Sequence, residues 1–191
     1  MLRNFARRMS IASPEAVQQY RAAGEDRMLK HLAKVAESAY AKGNLTSSRE
    51  LYSSLVMARR QRHGDNNMLT ISAIGKLSVV ERKDGEHEAA IGLAREAVDG
   101  SEKLLGALHP DSLRWQTNLA KALVAGGELA EAQAAARDAV EGYHMIYGAG
   151  HADAISAENI LAAAENSVGR ALNAAAQLAR LYALCAAAQQ A

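Results

Sequence analysis

The stretch GEHEAAIGLAREAVDGSEKLLGALHPDSL, from Gly85 to Leu113, lies without a gap over GELAEAQAAARDAVEGYHMIYGAGHADAI, from Gly127 to Ile155. The offset is 42 residues. Stepping back by the same interval reaches Gly43, which opens GNLTSSRELYSSLVMARRQRHG. Stepping forward reaches Gly169, which opens GRALNAAAQLARLYALC. Four glycines therefore share one phase, and Gly64, Gly106 and Gly148 share a second, 21 residues further on. Glycines that alternate at half the period punctuate pairs of helices, because glycine accepts the left-handed conformation in which helices end.

Between the glycines the same positions stay apolar or small. Val35, Leu77, Leu119 and Leu161 stand eight residues before the first-phase glycines, each followed by Ala36, Ser78, Ala120 or Ala162. Ser48, Ala90, Ala132 and Ala174 stand five residues after them, and Leu55, Ala97, Ala139 and Leu181 twelve after. Small residues at these places let two helices approach closely. The pattern predicts helix pairs over 26–42 with 46–62, 68–84 with 87–105, 110–126 with 129–147, and 153–168 with 170–189. Ser13-Pro14-Glu15 signals one more start: serine caps, proline takes the first turn and glutamate meets the helix dipole. That short N-terminal helix is expected to run into the first pair across Gly24. The predicted fold is all-α, a solenoid of about four antiparallel helix pairs plus the short N-terminal helix, occupying residues 13–191.

Composition narrows the function. With 191 residues and 49% apolar composition, the chain can bury a real core. Lys and Arg number 22 against 21 Asp and Glu, so there is no general electrostatic footprint for nucleic acid, and no nucleic-acid partner is expected. Cys185 is the single cysteine, which excludes an internal disulfide and a cysteine-based zinc cage. No apolar run is long enough to span a bilayer; Leu178 to Ala188 comes nearest and is interrupted by Arg180.

Residues 1–12 form a separate basic segment. Arg3, Arg7 and Arg8 precede the first acid, Glu15, while Leu2, Phe5, Ala6 and Met9 share one helical face. The segment resembles a mitochondrial presequence, and Arg7-Arg8-Met9 before Ser10 is similar to a processing site. The expected location is mitochondrial, otherwise cytoplasmic, with residues 1–9 suited to contact a membrane surface.

A leucine, a small residue, a glycine eight positions after the leucine and an alanine five beyond resemble the tetratricopeptide signature. Leu119-Ala120, Gly127 and Glu131-Ala132 fit it best. The 42-residue period, with Leu105-Gly106, His109-Pro110-Asp111 and Asn118-Leu119-Ala120, is similar to the kinesin-light-chain subtype; His151-Ala152-Asp153 and Asn67-Met68 are its weaker copies. The resemblance implies a tetratricopeptide-like α-solenoid whose first helices line a concave groove. It places groove-facing positions thirteen, ten, six and three before each first-phase glycine. These are Lys30, Ala33, Glu37 and Tyr40, then Ser72, Gly75, Val79 and Arg82, then Arg114, Thr117, Lys121 and Val124. Lys30, Arg82, Arg114, Thr117 and Lys121 are the candidate partner-binding residues of the groove. Arg114 and Lys121 share one helical face and suit an acidic peptide or carboxylate.

Residues with reactive potential have plainer readings. His109-Pro110-Asp111 matches the triplet of J-domain co-chaperones, yet it sits on the repeat grid and suits the start of a helix. The six histidines form neither an i, i+4 pair nor HExxH, so no metal site is expected. Gly148-Ala149-Gly150 lacks the strand and lysine of a phosphate loop. No catalytic residue and no cofactor is expected, and the chain is read as a non-enzyme.

From Glu165 to Ala191 the only charges are Glu165, Arg170 and Arg180. A terminal repeat normally carries a polar outer face. Leu178, Leu181, Tyr182 and Cys185 are therefore the candidate partner-binding residues of the last helix. The expected function is a non-catalytic protein–protein interaction module. It would serve as scaffold, assembly factor or accessory subunit of a larger, mitochondrial complex whose partners are other proteins. A peptide-binding adaptor using the concave groove is the alternative, and an organellar RNA-associated helical repeat protein the second alternative.

Overall fold

The computed structural model describes the backbone of residues 14–188 and side chains over 24–173, with Gln177 and Ala179. Seven helices follow one another: α1 (Pro14–Ala41), α2 (Leu45–His63), α3 (Met68–Asp84), α4 (His87–Leu105), α5 (Pro110–Gly126), α6 (Leu129–Tyr147) and α7 (Ala152–Ala188). Among the described residues there is no strand. Consecutive helices pack on each other, and α3 also touches α5 as α5 touches α7, which makes an all-α solenoid.

The two glycine phases make two kinds of turn. Gly43, Gly85 and Gly127 adopt φ of +77°, +88° and +82°. At Gly85 and Gly127 the turn closes as a Schellman motif. Glu86 N–H donates to the Glu81 carbonyl at 3.0 Å, and Glu128 N–H to the Leu123 carbonyl at 3.0 Å. The second-phase turns end in N-caps that also keep the period. Asn67 Oδ1 accepts from Leu69 N–H, His109 Nδ1 from Asp111 N–H, and His151 Nδ1 from Asp153 N–H, at 2.9, 3.1 and 3.3 Å. His109-Pro110-Asp111 is thus a helix start, with its proline in the first turn.

One expectation is met and one is corrected. The N-terminal helix runs into the first pair across Gly24, as α1 is unbroken from Pro14 to Ala41. The fourth pair is not a hairpin: α7 continues through Gly169 for 37 residues, and Gly169 is absent from the glycines of positive φ. The residues after the glycines supply the reason. Asn44, Glu86 and Glu128 suit the positive end of a new helix, and Asn44 Oδ1 caps α2 by accepting from Ser47 N–H at 3.1 Å. Arg170 offers no acceptor and opposes the dipole, while Ala171 and the alanines 174–176 favour continuation over a turn. The basic segment 1–12 and the Ser13 cap lie outside the described residues, and for Leu178, Leu181, Tyr182 and Cys185 only the helical backbone is described.

The core repeats with the sequence. Ile71 on α3 meets the place where Gly100 of α4 lacks a side chain; a Cβ there would lie 2.9 Å from the Ile71 Cδ1. One period on, Leu113 of α5 lies against Gly142 of α6, with Cδ1 3.0 Å from such a Cβ and Cδ2 nearer still. One period back, Leu29 and Ala58 line the same recess between α1 and α2. Each first helix thus seats an apolar side chain on a small residue of its following helix. Ile155 on α7 holds the same phase but is 45% exposed, and among the described residues no helix folds over it.

A candidate protein-binding groove

A groove of about 430 Å³ runs across α1, α3 and α5. Glu37 and Tyr40 enter from α1, Ser72, Lys76, Val79 and Val80 from α3, and Arg114, Trp115 and Asn118 from α5, while Tyr52 of α2 closes one side. Spacings of three and four residues put each set on one helical face. Its floor is aromatic. Trp115 is 3% exposed and its ring occupies the space that a side chain on Gly75 would need. The indole Nε1–H of Trp115 is buried with no hydrogen-bond partner among the described residues.

The charges fall into two groups. Some are balanced: Lys76 bonds the Glu37 carboxylate, and Arg114 pairs with Asp111 at 2.8 Å while lying 4.6 Å over the Trp115 ring. Lys83 stands 4.9 Å over the Tyr40 ring. Tyr52 has its pKa pushed up to about 12, first by burial and then by the Glu37 carboxylate, so its hydroxyl stays a neutral donor. Arg82 and Lys121 are different. They continue the faces of Val79 and Asn118 by about one turn, and neither has an ion-pair partner among the described residues. Burial, then the neighbouring Arg82 charge, lowers the Lys121 pKa.

That placement gives a stability prediction with a definite sign. The folded chain holds fewer protons than the unfolded one between the lowered Lys121 value and the ordinary 10.5, so stability rises with pH through that window. Lys121→Met removes the cost of the buried charge. It is expected to raise Tm at neutral pH by about 1–2 °C, the scale of a few tenths of a kcal/mol in a domain this long. The advantage should shrink as pH approaches 10.5. Thermal unfolding followed by circular dichroism at pH 7 and pH 10 tests both parts.

The residues expected from the sequence divide as follows. Glu37, Tyr40, Ser72, Val79 and Arg114 come together as groove lining. Lys30 is exposed on α1 outside that lining, and Ala33 and Val124 pack against the core. Thr117 turns inward: it is 6% exposed and its hydroxyl donates to the Leu113 carbonyl at 2.8 Å, so it does not line the groove. Sequence reasoning missed Tyr52, Lys76, Val80, Trp115 and Asn118. Ser72, Lys76 and Val80 carry an i, i+4, i+8 signal, and Tyr52 is an aromatic where the later repeats have Ala94 and Ala136. Among the described residues no group of histidines, cysteines and acids is placed to hold a metal, and no helix is long and apolar enough to cross a membrane.

Paired helices on a fixed period, with a groove along the first helices, make a tetratricopeptide-like solenoid fold, and residues 74–145 match the tetratricopeptide repeat family model. Solved structures of kinesin-light-chain-like repeats share that fold. A crystal structure of a Podosopora anserina protein, assigned as a kinesin light chain with nearly identical TPR-like repeats, superposes with a TM-score of 0.65. It is 21% identical and covers 93% of this chain and 89% of its own. A point variant of that protein gives a TM-score of 0.67 at the same identity, covering 93% and 88%. BtubC (BKLC) from P. vanneervenii gives 0.70 at 17% identity, over 85% of this chain and 65% of that one. No curated protein is similar enough in sequence to match. Tetratricopeptide repeats are protein–protein interaction modules.

Proposed function

We propose that the chain is a scaffold or accessory subunit of a larger protein complex and that its groove holds an acidic segment of a partner protein. The observation that carries this reading is the pair Arg82 and Lys121, cations one helical turn on from the groove residues Val79 and Asn118, of which Arg82 bears electrostatically on Lys121 and neither has an ion-pair partner among the described residues. Holding like charges together in a half-buried place is unfavourable for the free protein, and a partner's acidic side chain or chain terminus reverses that sign. Trp115 brings a donor with nothing to bond among the described residues to the groove floor, and the half-buried Tyr40 adds aromatic surface of the kind that anchors partners. The basic, acid-free residues 1–12 support a mitochondrial setting for the complex.

Charge reversal is the test. The full chain with Arg82→Glu and Lys121→Glu is compared with the natural chain by native-gel fractionation of gently solubilised mitochondria, followed by mass spectrometry. The natural chain is expected to migrate with a large assembly. The reversed chain should be released to its own 20.3 kDa, with the partner's affinity lowered at least about tenfold. Unchanged co-migration removes the groove as the binding surface, and absence of the natural chain from mitochondria removes the location.

A further inference from the structure

The last repeat is left open, and the sequence that would close it is still in the chain. In α2, α4 and α6 the helix after the first-phase glycine folds back over its own first helix. Residues 170–188 carry the same pattern one period later: Ala174, Leu178, Leu181, Tyr182 and Cys185 stand in the phase of Ala132, Ala136, Ala139, Val140 and Tyr143, which are buried in α6. Here that segment extends straight from the first half of α7. Among the described residues nothing covers the face it would have packed on. Ile155 is exposed where its counterparts Leu113 and Ile71 are 4% and 2% exposed, and Leu172, just past Gly169, is 66% exposed.

We infer that two copies of this chain exchange these segments, residues 170–188 of each lying over the Ile155 face of the other. Two features favour the second copy over closure within one chain. Gly169 is not in the left-handed conformation that the earlier turns use, and Arg170 replaces their Asn or Glu, so the hinge is straight. Leu184 stands where Gly100 and Gly142 stand, and those glycines let the paired helices approach to contact. A tight turn fixes a helix pair at that short distance, which a leucine obstructs. A helix delivered from another chain is free of the turn and can sit further out. The exchange is isologous, each copy giving what it receives, so it closes at two chains. It uses the end of the solenoid and leaves the groove open, so it stands or falls apart from the groove reading.

The full chain is examined by size-exclusion chromatography with light scattering, where the expected mass is twice 20.3 kDa. Ile155→Asp, at an exposed position, should keep the helical circular dichroism and raise the dissociation constant of the dimer at least about tenfold. Val168→Gly with Arg170→Glu copies Gly126-Gly127-Glu128 and should shift the chain toward monomer. A disulfide test identifies the segment. One batch carries Ile155→Cys and Cys185→Ser, the other Leu184→Cys and Cys185→Ser; after co-refolding and mild oxidation the two should join as a covalent heterodimer. A monomeric natural chain overturns the inference, whether it stays alone or takes up a different protein at this face. So does a dimer that neither Ile155→Asp nor the restored turn weakens, or one in which the two batches do not cross-link.

Discussion

Trp115→Ala is expected to destabilise the chain by about 3–5 kcal/mol, the range for emptying a large aromatic from a core. The indole is 3% exposed and fills the gap left by Gly75 on α3, where an added Cβ would lie 2.5 Å from two ring carbons. The informative result comes from combining it with Gly75→Ala. Alanine is the better helix former by about 1 kcal/mol, yet in the natural chain Gly75→Ala should cost about 1–3 kcal/mol because the ring must move. In the Trp115→Ala background the obstruction is gone, and Gly75→Ala should stabilise by about 1 kcal/mol. Urea unfolding of the four proteins measures the change of sign. Additive effects would mean that the ring contact is not what Gly75 serves. The same cycle probes the groove, since Trp115 lines its floor and Gly75 seats the ring.

Gly142→Leu is expected to cost about 3 kcal/mol or more, at or beyond the upper end for overpacking, because both Leu113 methyls already lie within 3.0 Å of where the Cβ must go. The turn at Gly127 ties α5 directly to α6, and the turn at Gly148 ties α6 to α7, so neither helix of the pair can withdraw alone. Gly92→Ala is the control. Gly92 is exposed within α4 with nothing near the added carbon, so that change should stabilise by about 0.5–1 kcal/mol. Opposite shifts in Tm for two helical glycines of the same domain would tie the effect to the packing grid. Equal shifts would dissolve it.

The period was legible because it rests on backbone conformation: only glycine takes the left-handed turns cheaply, so Gly43, Gly85 and Gly127 mark the hairpins on the sequence itself. The three middle turns and the helices between 68 and 147 fall where the spacing predicts them. Gly169 shows the limit of that reading. A glycine permits a turn without imposing one, and the flanking Arg170 and alanines decide for continuation. Groove positions taken from the first helices found Glu37, Tyr40, Ser72, Val79 and Arg114. They failed at Thr117, which a backbone carbonyl one turn earlier holds inward. Tyr52 and Trp115 escaped because their exposure depends on what faces them: Tyr52 reaches the groove from a second helix, and Trp115 needs the missing side chain of Gly75.

The stepwise packing of consecutive helices also sets how the chain comes apart. Most of its tertiary contacts join elements a few tens of residues apart, so no distant segments must find each other before structure forms. A linear stack of this kind unzips from its ends, and its two ends differ. Among the described residues, no helix of the same chain folds back over the distal half of α7, so in the monomer amides there should exchange fastest with solvent deuterium, and segment exchange with a second copy should slow them. Amides in α3 to α5, covered on both sides, should outlast them. Proteolysis of the monomer would accordingly trim the far helix first and leave a protected fragment centred on the middle repeats.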